Sequence, residues 1–228
     1  MEARITEVFL SIQGEGIYVG QPQIFIRFAK CNLDCDFCDT TKKGGKRYSV
    51  FELLHLINEI NSQHTINTIS ITGGEPLLHI DFLKSLLPQL KKRNFKVYLE
   101  TNGTLPDGLH KILNFVDIIA MDMKLPSSQK GKGFWTRHRD FLNLAKRKKV
   151  FVKIVVTNKT TPEEIKKTVA IIDDVDPNIP FVLQPVTPAN RIKKKVPLGT
   201  LFAFQRLAKS VLNEVSIIPQ VHKILGAR

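Results

Sequence analysis

Stretches of strand character and helix character follow one another about six times along these 228 residues, and that alternation restricts the fold more than any other feature. Residues 4–10 alternate loosely and read as a first strand. Residues 23–29 form a clearer one, with Ile24, Ile26 and Phe28 on one face and Phe25 and Arg27 on the other. Ser49 and Glu52 make a capping box ahead of a helical stripe of Val50, Leu53, Leu54, Ile57 and Ile60. A strand is expected at 67–71, a helix at 81–93 that Pro88 should kink, and a strand at 96–99. The pattern repeats with a strand at 116–120, a helix at 132–147 and a strongly β-branched strand at 150–156. Thr161-Pro162 opens a further helix, 181–183 is a short strand, and a helix near 198–213 precedes Val215-Ser216-Ile217-Ile218. Such βα units build a parallel sheet. With fewer than eight repeats, the expected fold is α/β, an open, partial β/α barrel forming a single domain over residues 1–228 with an N-terminal strand extension.

A chain of this length can bury one substantial core. Its N-terminus lacks a charged-then-apolar leader and no apolar run approaches the ~18 residues of a membrane span, so a soluble, cytoplasmic protein is expected. The net charge is +13, with basic runs at 91–93, 146–149 and 193–195. These runs fall near expected helix ends or in a loop, where cations complement the helix dipole or face water. A solvated surface is the default reading and nucleic-acid binding is not expected.

The unusual residues gather after the strands, where α/β folds place their sites. All three cysteines, Cys31, Cys35 and Cys38, lie within eight residues. An odd number in so tight a window does not suit a disulfide framework. A cubane iron-sulfur cluster normally takes four cysteines, so three leave one iron open for another ligand. A structural zinc site with His55, His64 or His79 as fourth ligand is the weaker reading, since none stands at a zinc-finger spacing. Arg27, on an apolar strand leading into Cys31, needs an anion if buried, and a salt bridge is the structural alternative. Gly14 and Gly16, flanking Glu15, permit positive φ and close approach to a ligand.

The spacing C-x3-C-x2-C, with Phe37 before the last cysteine, resembles that of the radical S-adenosylmethionine enzymes. Gly73-Gly74-Glu75-Pro76 resembles the loop in which that superfamily holds the methionine end of its cofactor. Glu7 to Gly16, Phe25 to Cys31, and Cys38-Asp39-Thr40 narrow the resemblance to the 7-carboxy-7-deazaguanine synthase family of the queuosine pathway. Glu100-Thr101-Asn102-Gly103, Gln184-Pro185 and the tail Pro219-Gln220-Val221-His222-Lys223 are similar to that family too.

The resemblance implies conversion of 6-carboxy-5,6,7,8-tetrahydropterin to 7-carboxy-7-deazaguanine with loss of ammonia. A reduced 4Fe-4S cluster would cleave S-adenosylmethionine, and the resulting radical would take and later return the hydrogen at C6 of the pterin. Magnesium, a homodimer and a flavodoxin-like or other reductant are implied as well. Cys31, Cys35 and Cys38 would bind the cluster. Phe37, Asp39, Gly74, Glu75, Lys124, Ser127 and Gln184 would serve the cofactor beside Cys38. Ile12, Gln13, Gly14, Glu15 and Thr72 would line the pterin, Arg27 would pair with its carboxylate, and Thr40 would bind magnesium. Where some members carry Ser-Pro-Lys, this chain has Asp122-Met123-Lys124. Two other readings stand beside it: an activating enzyme for glycyl-radical proteins, and a non-enzymatic iron-sulfur or zinc protein that binds RNA through its basic surface.

Overall fold

The computed structural model describes residues 1–38, 44–129, 133–188, 192 and 194–227. The chain opens with β1 (Glu2–Ile12) and β2 (Pro22–Phe28), an antiparallel pair, and β1 also pairs antiparallel with β3 (Lys46–Ser49). From β2 onward the sheet is parallel, through β4 (Thr68–Gly73), β5 (Lys96–Thr101), β6 (Ile118–Asp122), β7 (Lys149–Val156), β8 (Phe181–Pro185) and β9 (Val215–Ile217). The order is β3-β1-β2-β4-β5-β6-β7-β8-β9. Its two ends do not pair with each other, so the barrel is open, as six repeats led one to expect.

Among the described residues six helices make the crossovers: α1 (Val50–Asn61), α2 (Ile80–Lys92), α3 (Pro106–Ile112), α4 (Trp135–Ala145), α5 (Pro162–Val175) and α6 (Leu198–Lys209). A short α7 (Val221–Leu225) ends the chain. Two helices start at reciprocal capping boxes, Ser49 with Glu52 and Thr161 with Glu164, each of which satisfies two otherwise orphaned backbone donors. α2 runs through Pro88 as one helix. The strand β3 and the helices α3 and α7 were not expected from the sequence.

Alternation along the parallel strands sorts their side chains onto two faces with different chemistry. Ile24, Ile26, Ile69, Ile71, Val97, Leu99, Ile119, Val152, Ile154 and Leu183 pack under the six helices in one continuous core. At the intervening positions stand Arg27, Thr72, Glu100, Asp122, Lys153 and Gln184, all facing one cavity. Most parallel sheets bury apolar side chains on both faces. Here the second face is largely polar, and a small cluster around Tyr98, Ala120, Phe151 and Val182 closes its base. Tyr18 seals that base edge-on against Tyr98 at 5.7 Å between ring centroids. The turn that brings it there needs Gly16, whose φ is +67° and where a Cβ would collide with the Phe151 ring.

His138 on α4 is fully buried, and its Nε2 lies 3.1 Å from the Asn102 carbonyl, which can only accept a hydrogen bond. The imidazole is therefore neutral with its proton on Nε2, and Nδ1 has no protein partner. Burial lowers its pKa to about 4. The unfolded chain takes up this proton near pH 6.5 and the folded one does not, so stability falls as pH drops from about 6.5 toward 4. The full difference is about 3 kcal/mol. Urea denaturation at pH 7.0 and 5.0 checks it: the loss should shrink in His138→Phe, and an unchanged loss would assign the acid sensitivity elsewhere.

Candidate active site

A cavity of about 600 Å³ opens at the C-terminal ends of the parallel strands, within the range of cofactor and small-molecule sites. The loop after β2 brings Cys31, Cys35, Phe37 and Cys38 to one side of it. None of the three cysteines is in a disulfide, and the backbone at Cys35 is tied down, since Asp36 donates its backbone N–H to the Ser128 carbonyl and Cys35 forms a β-bridge with Gln129. Burial raises the Cys35 thiol pKa, Lys124 lowers it, and Asp122, Cys31 and Cys38 raise it further, so the three sulfurs sense one another. His55 sits on the surface beside Glu59 and His79 bonds the Ala29 carbonyl; neither they nor His64 line this cavity. Among the described residues no three His, Cys, Asp or Glu side chains converge on a single metal ion.

Glu75 is fully buried behind the cavity wall. Its carboxylate accepts from Leu77 N at 3.1 Å, Thr101 Oγ1 at 2.9 Å and Asn102 N at 2.8 Å. Burial raises its pKa to about 7 while these donors pull it down. Glu75 thereby ties the Gly73-Gly74-Glu75-Pro76 loop to the loop after β5. From there the Asn102 amide reaches Asn32 Oδ1 at 2.9 Å and the Cys31 sulfur at 4.0 Å.

The opposite side is built from β1, β2 and the tail. The Gln13 amide donates to Glu100 at 2.9 Å, and Thr72 and Ser70 donate to the same carboxylate at 2.8 and 3.2 Å. Arg27 Nε bonds Glu7 at 2.8 Å, and the guanidinium lies over the Phe9 ring at 5.6 Å. The salt bridge named as the structural alternative for Arg27 is thus formed, at the cavity wall. The tail closes over this side: Val221 N donates to the Gly14 carbonyl at 2.9 Å and Gln220 to Glu15 at 2.7 Å. A Cβ at Gly14 would collide with His222, which accounts for a glycine there.

Between the two sides runs a chain of ions, with Lys153 buried and Glu15, Asp122 and Lys124 part-buried. Lys153 Nζ is 2.6 Å from Glu15 and 2.8 Å from Asp122, and Lys124 Nζ is 2.8 Å from Asp122 and 4.8 Å from the Phe37 ring centre. Burial alone would raise Glu15, yet Lys153 holds its pKa at about 2. Burial likewise opposes both lysine charges, but their carboxylate neighbours raise both lysine pKa values. Two carboxylates and two ammonium groups balance.

The structure therefore brings Ile12, Gln13, Gly14, Glu15, Arg27, Cys31, Cys35, Phe37, Cys38, Thr72, Gly74, Lys124 and Gln184 to one cavity. Glu75 and Ser127 are not among the residues that line it: the first has its carboxylate engaged by protein donors, and the second donates its backbone N–H to Glu164 of α5 at 2.7 Å. Asp39 and Thr40 lie outside the described residues. The sequence reading gave no role to Glu100, Asn102, Asp122, Lys153, Gln220 or His222. A lysine inside the β-branched run of β7 was the available signal for Lys153. Three cysteines outside any disulfide, lining one cavity, fit an iron-sulfur cluster with an open iron. The buried acceptors Asp122 Oδ1 and Gln184 Oε1, without hydrogen-bond partners, suit the hydroxyl and amino donors of an adenosine-bearing cofactor.

Residues 25–172 match the Radical SAM superfamily model. A 7-carboxy-7-deazaguanine synthase of Geobacter sulfurreducens is 40% identical, over 98% of this chain and 97% of the relative. One of Methanothermobacter thermautotrophicus is 34% identical over 100% and 99%. The crystal structure of QueE from Escherichia coli superposes with a TM-score of 0.64 at 21% identity, covering 95% of this chain and 93% of that one, a likeness of fold. The open parallel sheet, the three-cysteine loop and these relatives agree: the chain belongs to the 7-carboxy-7-deazaguanine synthase family of the radical SAM superfamily.

Proposed function

We propose that this protein converts 6-carboxy-5,6,7,8-tetrahydropterin to 7-carboxy-7-deazaguanine with loss of ammonia, as a lyase of 7-deazapurine and queuosine biosynthesis that feeds tRNA modification. One observation carries the reading. The cysteine loop and the polar set on β1, β2 and β4 meet in a single cavity, in a chain matched along its whole length by relatives named for this activity. A glycyl-radical activating enzyme and a non-enzymatic RNA-binding protein have no comparable support.

Cys31, Cys35 and Cys38 would hold the cluster, and Phe37, Gly74, Lys124 and Gln184, which line the same cavity, would bind S-adenosylmethionine beside it. Bound there, the two supply one-electron chemistry that takes a hydrogen from a substrate carbon. The chain's own residues orient the substrate. Arg27 would take the pterin carboxylate, and Gln13, Glu15 and Thr72 would meet the polar ring edge. Glu15, ionised to about pH 2, presents acceptors to ring N–H groups across the working range. Tyr98, Phe151 and Tyr18 close the base and keep water out of that side. Magnesium, with Thr40 as its protein ligand, would neutralise charge on the substrate. A single domain, supported by one sheet running from residue 2 to 217, a cytoplasmic homodimer and a flavodoxin-like reductant complete the proposal.

The test is an anaerobic assay of reconstituted protein with the carboxytetrahydropterin, S-adenosylmethionine and dithionite, read by product mass. A product mass lower than substrate by one ammonia is expected, in a yield that falls severalfold when magnesium is chelated. Cofactor cleavage without any change in the pterin would overturn the assignment.

A further inference from the structure

Lys153, in the chain of ions that crosses the cavity, has no part in the roles given so far. It is only 6% exposed, on the middle of β7 and in register with Asp122 of β6. Its ammonium group, with three donors, meets two carboxylates that belong to opposite sides of the cavity. Glu15 comes from the turn after β1, and its other oxygen accepts from Gln220 of the tail at 2.7 Å. Asp122 ends β6 and also receives Lys124, which lies over Phe37 between the second and third cysteines. Apolar side chains of similar volume would usually be as stable in such a position. A buried ionic arrangement has its best-attested use in fixing one arrangement of the parts it joins.

We propose that Lys153 is a positioning residue that couples the two halves of the site, holding the Glu15 carboxylate on the substrate side and the Asp122 carboxylate on the cofactor side to one ammonium. The proposal rests on the function given above for the identity of the two ligands. Substrate that orders Glu15 fixes Lys153 and hence Asp122 and Lys124, which preorganises the cofactor side. Cofactor that orders Lys124 acts in the reverse direction. Linkage makes the effect reciprocal: each ligand must tighten the other by the same factor, typically about 5- to 150-fold for coupled sites.

The test is calorimetric titration of S-adenosylmethionine into oxidised, cluster-loaded protein, with and without saturating carboxytetrahydropterin, so that no turnover occurs. Wild type should bind the cofactor at least about 5-fold more tightly with the pterin present. In Lys153→Met that ratio should fall to within twofold of one, and Lys153→Arg should recover part of it. Asp122→Asn cuts the chain at its cofactor end, leaves the Lys153–Glu15 pair intact and should lose the ratio as well; it serves if Lys153→Met does not fold. Melting and iron content separate coupling from stability. A folded, cluster-loaded Lys153→Met or Asp122→Asn with the wild-type ratio overturns the proposal, and so does a wild-type ratio of one. Product formed by wild type with a ratio of one overturns the coupling alone; wild type that binds no pterin overturns the functional reading with it.

Discussion

Replacement of Cys31, Cys35 or Cys38 by alanine, one at a time, is expected to abolish cleavage of S-adenosylmethionine. The chain contains three cysteines in all, so no other thiol can replace a lost ligand. Loss of a residue that merely orients a metal ligand typically costs 10- to 100-fold, and loss of the ligand itself should exceed about 100-fold. Cys35 gives the most informative variant because it is the most buried of the three and is pinned through its bridge to Gln129. Cys35→Ala removes only the sulfur, so the fold should survive with a modest loss of melting temperature. Iron, sulfide and cofactor cleavage are measured on the same preparation. Normal iron content with full cleavage in any one variant would sink the cluster assignment; a collapse of secondary structure in all three would show that the cysteines hold the fold.

The elements that bury an apolar face were legible in the sequence, and those that do not were missed. The stripe Leu53, Leu54 and Ile57 with its capping box gave α1, and alternation in residues 23–29 gave both faces of β2. β3 (Lys46–Ser49) is an exposed edge strand of Lys, Arg, Tyr and Ser, held by pairing with β1 and not by burial, so no apolar period marks it. α3 (Pro106–Ile112) is seven residues long, contains Gly108 and has no side-chain cap, and only Leu109 and Ile112 are buried. Its sequence carries less than two turns of pattern. Pro88 lies inside α2, which continues past it with Phe82, Leu86, Leu87 and Leu90 packed in the core.

The site divides in the same way. Cysteine spacing and the Gly73-Gly74-Glu75-Pro76 loop are local patterns, so they could be read directly. Lys153 meets Glu15 from 138 positions away and Gln220 meets Glu15 from 205 away, and only the fold brings such partners together. The argument applied to Arg27, that a charge on an apolar strand needs a partner, applies equally to Lys153 on β7 and would have found it. Glu75 joins the two kinds of signal: its loop is a local pattern, but its partners Thr101 and Asn102 at the end of β5 come from 26 and 27 positions away.

Arg27→Ala is expected to weaken pterin binding by roughly 30-fold or more, about 2 kcal/mol, while cluster content stays normal. The low end of the range for a truncated charge pair applies because the Arg27 side chain keeps 23% exposure and its partner Glu7 44%. Arg27→Lys retains the charge but loses the planar fork and its packing on Phe9, so it should bind between wild type and alanine. Since the Glu7–Arg27 pair is already formed, a purely structural role predicts a different pattern: Arg27→Ala and Glu7→Gln would both lower the melting temperature and leave pterin affinity alone. If Arg27 receives the substrate carboxylate, Glu7→Gln removes a competing anion and should hold affinity constant or raise it. Anaerobic calorimetry with the carboxytetrahydropterin, and with a decarboxylated analogue as control, separates these patterns. The analogue should bind wild type and Arg27→Ala equally, because it lacks the group that the guanidinium recognises. Equal affinity of Arg27→Ala and wild type for the carboxylated substrate would remove Arg27 from the binding site and leave it as the partner of Glu7.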